Sequence, residues 1–232
     1  MAQVKDKILL MWAKLRLQPI HVYCLHHISA QFDAESMNEC DWTDIEAFET
    51  KIHQIRQEGV KFISLSDAYA HLTHDILRDR KYAVITIDDG YASLKEILPW
   101  LIEQNIPVTL FINGKYLDGK SYRTNPKEQY LTKNELFAIT NPLVSIANHG
   151  WEHKRISEMS ENEFIASVEQ NVQLLSTHPN YISFWAYTYG AHKRFSNAYL
   201  QAQNLIPVYV NGEANIHYKG YIGREILNVD EI

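Results

Sequence analysis

One stretch decides how this chain folds: Ala83-Val84-Ile85-Thr86-Ile87-Asp88-Asp89-Gly90. Its apolar and β-branched residues predict a buried strand that carries two acids at its C-terminal tip. Because successive side chains of a pleated strand point to opposite faces, we expect Asp88 and Asp89 to face different directions and to take different roles. Asp-Asp-Gly is also a common turn sequence, so a second motif has to decide between a site and a simple turn.

The second motif is an apolar run that starts at Leu143 and ends in two histidines, His149 and His153. On one helical turn, a His-x-x-x-His pair points both imidazoles the same way. With one carboxylate from elsewhere, the pair forms a set that binds zinc, iron or another divalent metal and leaves positions open for water and substrate. The two motifs together favour a metal site over a turn.

A third apolar run extends from Tyr181 to Gly190 and is rich in aromatic residues. Aromatic walls with a few backbone donors suit a sugar ring and its polar substituents. In the alternative interpretation, Phe184, Trp185 and Tyr187 are core residues and Gly190 ends the strand. The run alone does not separate these two interpretations.

Strand-like runs alternate with helical patterns along the whole chain. Apolar residues at three- and four-residue steps predict helices over 44–58, 94–104 and 161–175, and Ser66 and Thr132 have the character of helix N-caps. About seven strands that alternate with helices predict an α/β fold, a distorted barrel of parallel strands with its active site at their C-terminal ends. The predicted strands are Ile20 to His26, Lys61 to Leu65, Tyr82 to Ile87, Pro107 to Ile112, Leu143 to Ala147, Tyr181 to Tyr187 and Pro207 to Val210.

Composition narrows the function classes. The 232 residues contain no Pro/Gly/Ser-rich linker, which predicts one domain over 1–232 with residues 1–19 as an N-terminal helical extension. A net charge of −6 without a basic cluster argues against nucleic acid as a partner. No run approaches the roughly eighteen apolar residues of a membrane span, and the apolar run at 8–13 is short for a signal peptide. We therefore expect a cytoplasmic protein without a membrane span.

The motifs resemble those of the polysaccharide deacetylases with a NodB-homology domain, also called carbohydrate esterase family 4. Residues 86–90 are similar to the first motif, Thr-Phe-Asp-Asp-Gly, and residues 148–153 to the second, Ser/Asn-His-Thr-x-x-His. Residues 186–190 resemble the third motif in its Phe-Ala-Tyr-Pro-Tyr-Gly variant. The run 22–28 resembles the Tyr-His-x-Ile opening strand of the exopolysaccharide-type members.

This resemblance implies a metal-dependent hydrolase that removes N-acetyl groups from a polysaccharide or oligosaccharide. It implies that Asp88 is the general base, and that the third motif, through Tyr187 and Tyr189, lines the site and supplies an oxyanion donor. It also implies one divalent metal ion, for which zinc is our first choice. The implied ligands of this ion are Asp89, His149 and His153.

The chain departs from the family pattern in two places. Ala186 stands where many members have the arginine that orients the base, and Thr188 stands where proline is common. The general-acid histidine is also missing from its usual place, because the last strand-like segment, 224–227, carries no Leu-x-His. We assign the acid to His26, which ends a predicted strand, and keep His217 as the alternative.

Two other functions stay open at this point. The chain could be a carbohydrate-binding relative that keeps the cleft and has lost turnover. It could also hydrolyse another non-peptide amide, such as a cyclic ureide or a peptidoglycan-type acetamide. A sequence does not separate substrates that share one type of bond.

Overall fold

A computed structural model of the chain describes residues 18–32, 41–74, 78, 80–118, 129–190 and 192–229. Of the helical extension predicted for residues 1–19, all but the last two positions lie outside these residues. Within the described ranges, no helix is both long enough and apolar enough to cross a membrane.

Seven parallel strands close into a barrel, as the sequence predicts. In chain order, the strands are β1 (Ile20–Leu25), β2 (His27–Ser29), β3 (Trp42–Asp44), β4 (Lys61–Phe62), β5 (Tyr82–Ile87), β6 (Val108–Ile112), β7 (Val144–Asn148), β8 (Tyr181–Ala186), β9 (Ile206–Val210) and β10 (Ile222–Ile226). The ring runs β1-β10-β9-β8-β7-β6-β5 and closes where β5 pairs with β1 along six residues. Strands β2 and β3 form a separate small sheet.

One of the seven strands predicted for the barrel is not part of it. The run 61–65 keeps only two residues as strand β4, which lies beside the start of β5 outside the ring, and Leu65 begins a helix. Its place in the ring is taken by β10, which pairs with β9 and β1. The prediction of seven strands is therefore confirmed although one of the predicted strands is replaced by another.

The described part of the chain has six α-helices, which pack around the barrel: α1 (Ile45–Gln57), α2 (Leu65–Thr73), α3 (Leu94–Glu103), α4 (Lys133–Phe137), α5 (Glu161–Leu175) and α6 (Arg194–Ala202). The capping box predicted at Thr132 is confirmed, because its hydroxyl accepts from the Glu135 N–H and the Glu135 carboxylate accepts from Thr132. The cap predicted at Ser66 is wrong. Helix α2 begins two residues earlier, and Ser64 accepts from the Asp67 N–H.

Strand β5 shows how the barrel presents its side chains. Val84 belongs to an apolar cluster with one or more residues from every strand of the ring, which is the barrel interior. Ile85 and Ile87 instead pack in the cluster that contains α1 and α3. By alternation, Thr86 and then Asp88 follow Val84 on the inner face, so Asp88 arrives at the mouth of the barrel.

The corrected helix start gives a stability prediction. We expect Ser64→Ala to lower the free energy of unfolding by about 1 kcal/mol, because it removes the side-chain acceptor of the α2 N-cap. Ser66→Ala, the matched control two residues away on the exposed face, should change stability by less than about 0.5 kcal/mol. Urea unfolding of both variants measures the difference, and equal effects would contradict the cap assignment.

Candidate active site

Three side chains converge at the C-terminal mouth of the barrel in a geometry suited to a metal ion. The Nε2 atoms of His149 and His153 lie 3.5 Å and 3.1 Å from Asp89 Oδ1. One donor atom from each of the three residues lies within 4.8 Å of the others, and all three side chains are at most 7% exposed. The structure thus brings together the three ligands predicted from the sequence.

The hydrogen bonds of His149 prepare it to be a ligand. Its Nδ1 lies 3.0 Å from the carbonyl oxygen of Ala186, which can only accept, so the proton sits on Nδ1 and the Nε2 lone pair faces Asp89. Burial lowers the pKa of His149, against the opposing attraction of Asp88 and Asp89. The imidazole is therefore held in the neutral form that metals bind.

The local backbone of the ligand set differs from the sequence prediction in two ways. The histidine pair does not lie on a helical turn: residues 149–153 form a bend, and His153 has a left-handed φ of 51°. Asp89 also has a left-handed φ, of 72°, just beyond the end of β5. Pleat alternation therefore does not separate the two acids. A left-handed turn carries the Asp89 carboxylate sideways to the histidines, while Asp88 continues the inner face of the strand.

Asp88 is held by an arginine from the other end of the chain. Arg224 in β10 donates from Nη1 to Asp88 Oδ1 (2.6 Å) and from Nη2 to Oδ2 (2.7 Å). Both side chains are at most 2% exposed. The same guanidinium donates to Thr86 Oγ1 and lies over the Phe111 ring, which fixes its position inside the barrel.

This pair keeps Asp88 ionised. Burial acts to raise the pKa of Asp88, but the attraction of Arg224 and His149 and the bonds from Arg224 outweigh it and hold the pKa at about 2. The carboxylate therefore carries no proton at neutral pH. Its Oδ2 lies 3.6 Å from His149 Nε2, so the ionised oxygen borders the ligand set.

The arginine is the functional residue that the sequence analysis missed. An arginine to orient the base is absent at Ala186, as predicted, but β10 supplies one in its place. A signal existed in the sequence: Arg224 follows the interior residue Ile222 at the two-residue period of a strand. A charged residue at an inward position of a barrel strand needs a buried partner, and the strand-tip acids were candidates.

The two candidate general acids lie at opposite ends of the barrel. His26 follows β1, and donor atoms of Cys24, His26 and Asp88 lie within 4.8 Å of one another. His217 lies two residues after Asn215, which pairs with Ile20 at the start of β1. Strand β1 is six residues long, and at roughly 3.3 Å per residue its ends are about 17 Å apart. The structure thus brings His26 to Asp88 and places His217 near the far end.

The two tyrosines of the third motif have different surroundings. The Tyr187 hydroxyl donates to Asn197 Oδ1 (2.8 Å) and its buried ring packs against Phe164, so this hydroxyl points to α6 and not to the acids. Tyr189 is 53% exposed, and its ring centroid lies 4.8 Å from that of His153. Tyr189 therefore forms the rim beside the ligand set, whereas Tyr187 supports the wall behind it.

Comparisons with known proteins identify the family of this chain and its fold. Residues 76–208, more than half of the chain, match the sequence model of the family described as polysaccharide deacetylase. The fold is similar to IcaB from Ammonifex degensii (TM-score 0.78, 18% identity, 91% of this chain and 92% of that one). It is also similar to a de-N-acetylase from Aggregatibacter actinomycetemcomitans (0.75, 14%, 93% and 97%) and to the deacetylase PplD from Streptococcus pyogenes (0.70, 18%, 92% and 93%). No curated protein matches the chain in sequence.

The buried ion pair gives a testable prediction without any substrate. Arg224→Met should lower the free energy of unfolding by about 3–5 kcal/mol, because it leaves the Asp88 carboxylate buried and unpaired. In the double variant Arg224→Met/Asp88→Asn, the loss should be smaller than the sum of the two single losses by at least about 1 kcal/mol. Urea unfolding of the four proteins at neutral pH measures this coupling, and additive losses would rule it out.

Proposed function

This chain belongs to the polysaccharide deacetylase family, hydrolases that act on carbon–nitrogen bonds of glycans, and we propose that it removes N-acetyl groups from a polysaccharide or oligosaccharide with the help of one divalent metal ion. One observation carries the proposal. An ionised, arginine-bound carboxylate, Asp88, lies directly beside the convergent set of Asp89, His149 and His153. A base next to a metal-binding set is an arrangement that can hydrolyse an unactivated amide.

The donor set fits a divalent ion. One carboxylate and two imidazoles occupy three positions and leave others for water and substrate, which is typical of catalytic zinc. Zinc is therefore our first choice, and iron and other divalent metals are compatible with the same ligands. When bound, such an ion supplies Lewis acidity to the acetamide carbonyl and to the attacking water.

The residues of the chain divide the proton transfers between them. Asp88 takes the proton of the attacking water, because it is ionised and Arg224 holds its orientation. His26 donates a proton to the departing amine, since it lies in the same cluster as Asp88 at the end of β1. We assign the oxyanion donor to the backbone N–H at Tyr189, and the Tyr189 ring lines the entrance to the active site.

The position of Arg224 favours turnover over binding alone. A carbohydrate-binding relative was suggested by the missing arginine and by the unassigned acid. Arg224 restores the bidentate contact to Asp88, and His26 lies close to the same carboxylate. Burying an ion pair costs desolvation energy, and glycan binding alone gives no reason to keep such a pair beside the site.

Acetate release is the direct test. We expect metal-reconstituted protein to release acetate from N-acetylchitooligosaccharides and from poly-N-acetylglucosamine fragments. Asp88→Asn should keep the bound metal but lose at least about a hundredfold in rate, because it removes the base. Glycan binding without acetate release would favour the binding relative, and loss of metal in Asp88→Asn would show that the two acids share their roles.

The ligand assignment can be tested without turnover. The double variant His149→Ala/His153→Ala should lose the stoichiometric metal found in the unchanged protein, because two of its three ligands are gone. His217→Ala, near the opposite end of the barrel, is the matched control and should keep the metal. Elemental analysis of purified, dialysed samples gives the answer, and metal retained in the double variant would refute the assignment.

The general acid can be tested with leaving groups of different basicity. His26→Gln should slow release of acetate from an N-acetyl sugar by about a hundredfold, because an amine has to be protonated as it departs. It should slow p-nitrophenyl acetate much less, because p-nitrophenolate departs without a proton. His217→Gln is the control. A normal rate in His26→Gln together with a collapsed rate in His217→Gln would show that the acid is His217.

A further inference from the structure

We infer that Arg155 and Tyr189 form a sugar subsite beside the ligand histidines, and that this subsite takes a carboxylate-bearing sugar next to the sugar that is deacetylated. The inference rests on the proposed function and adds a substrate class to it. It is carried by the backbone of Tyr189, by the stacking of Arg155 on its ring and by the charge of the surrounding loops.

Tyr189 is an exposed aromatic residue that the fold holds in a strained conformation. Its φ of 56° and ψ of 18° are left-handed, a conformation that is unfavourable for a residue with a β-carbon. The loop is clamped nearby, because Thr188 Oγ1 donates to the Lys154 carbonyl (2.6 Å) and Gly190 packs against the backbone of Val210. Strain kept at the rim of a site, around a half-exposed ring, indicates a surface that meets a ligand.

Arg155 lies flat against this ring. Its guanidinium carbon is 3.6 Å from the centroid of Tyr189, which is van der Waals contact. In a stack of this kind the five N–H donors lie in the guanidinium plane and remain available at its edge. Within the described residues Arg155 has no carboxylate partner, whereas the neighbouring Lys115 and Lys154 both pair with Glu152. In the loop 150–156, Arg155 is thus the cation whose charge is available to a ligand.

The stack adjoins the place where the chemistry occurs. The Tyr189 ring packs edge-on against His153, one of the three proposed ligands. The inferred subsite places the sugar that neighbours the deacetylated one against the Tyr189 ring. Aromatic faces suit the apolar face of a sugar, and the planar guanidinium suits a carboxylate, which it can bind through two parallel hydrogen bonds.

The charge of the two rim loops supports an anionic partner. The chain as a whole has a net charge of −6. The loops 150–156 and 187–194 hold four Lys and Arg residues, but the nearby carboxylates Glu152, Glu158 and Glu163 all act on Lys154, which leaves the charge of Arg155 for a ligand. An exposed guanidinium that pairs with no carboxylate of the described residues attracts a negatively charged sugar and repels a cationic one.

The test compares one oligosaccharide with and without its charge. The probes are the hyaluronan tetrasaccharide, whose glucuronates alternate with N-acetylglucosamine, and the same compound with its carboxylates methyl-esterified. We expect kcat/KM for acetate release to be about tenfold higher for the charged form, equivalent to about 1.4 kcal/mol. Arg155→Gln should bring this ratio close to one. Lys61→Gln, which removes an exposed cation beside the start of β5, should leave it unchanged.

The outcomes separate this inference from the proposed function. Acetate release from N-acetylchitotetraose without a preference for charged hyaluronan would overturn the subsite and leave the deacetylase standing. A preference that survives in Arg155→Gln, or an equal loss on both forms, would show that Arg155 only supports Tyr189, and would also overturn it. No acetate from any of the three substrates would overturn the proposed function itself.

Discussion

The buried pair of Asp88 and Arg224 is the constraint on which the rest of the site depends. In the ring, β1 lies between β5 and β10, so the guanidinium reaches across the barrel interior to join two strands that are not neighbours. An isolated carboxylate at this depth would take up a proton, and an isolated arginine would be costly to bury. Together they stay charged. The same contact therefore links β10 to the end of β5 and keeps Asp88 ionised beside Asp89 and His149.

Backbone strain is concentrated around this pair. Five described residues other than glycine have a left-handed φ: Asp89, Asn105, His153, Tyr189 and Asn204. The two asparagines follow directly after the C-caps of α3 and α6, where this conformation is common. The other three all belong to the site. Left-handed turns bring side chains from successive loops to one point, and the rigid barrel beneath them holds these turns in place.

The sequence predicts most of the barrel because most of its strands are apolar runs. The prediction fails where a strand contains a charged residue whose ion-pair partner is distant in the sequence. Strand β10 contains Gly223, Arg224 and Glu225, so only its end is recognised as strand-like from the sequence and it is not placed in the barrel. Arg224 is tolerated there because Asp88, 136 residues earlier, neutralises it. Likewise, spacing predicts that His149 and His153 act together, but not that a bend rather than a helix aligns them. Patterns report local periodicity, whereas these features arise when the ring closes.

The alanine at 186 and the arginine at 224 depend on each other. Both oxygens of Asp88 already accept from Arg224, and Ala186 is fully buried in the barrel interior. An arginine at 186 would therefore enter a closed, apolar space as a second cation without a free carboxylate, which is strongly unfavourable. The barrel can thus deliver this cation from any strand whose inward side chain reaches Asp88, so the departure at 186 still leaves the carboxylate paired with an arginine.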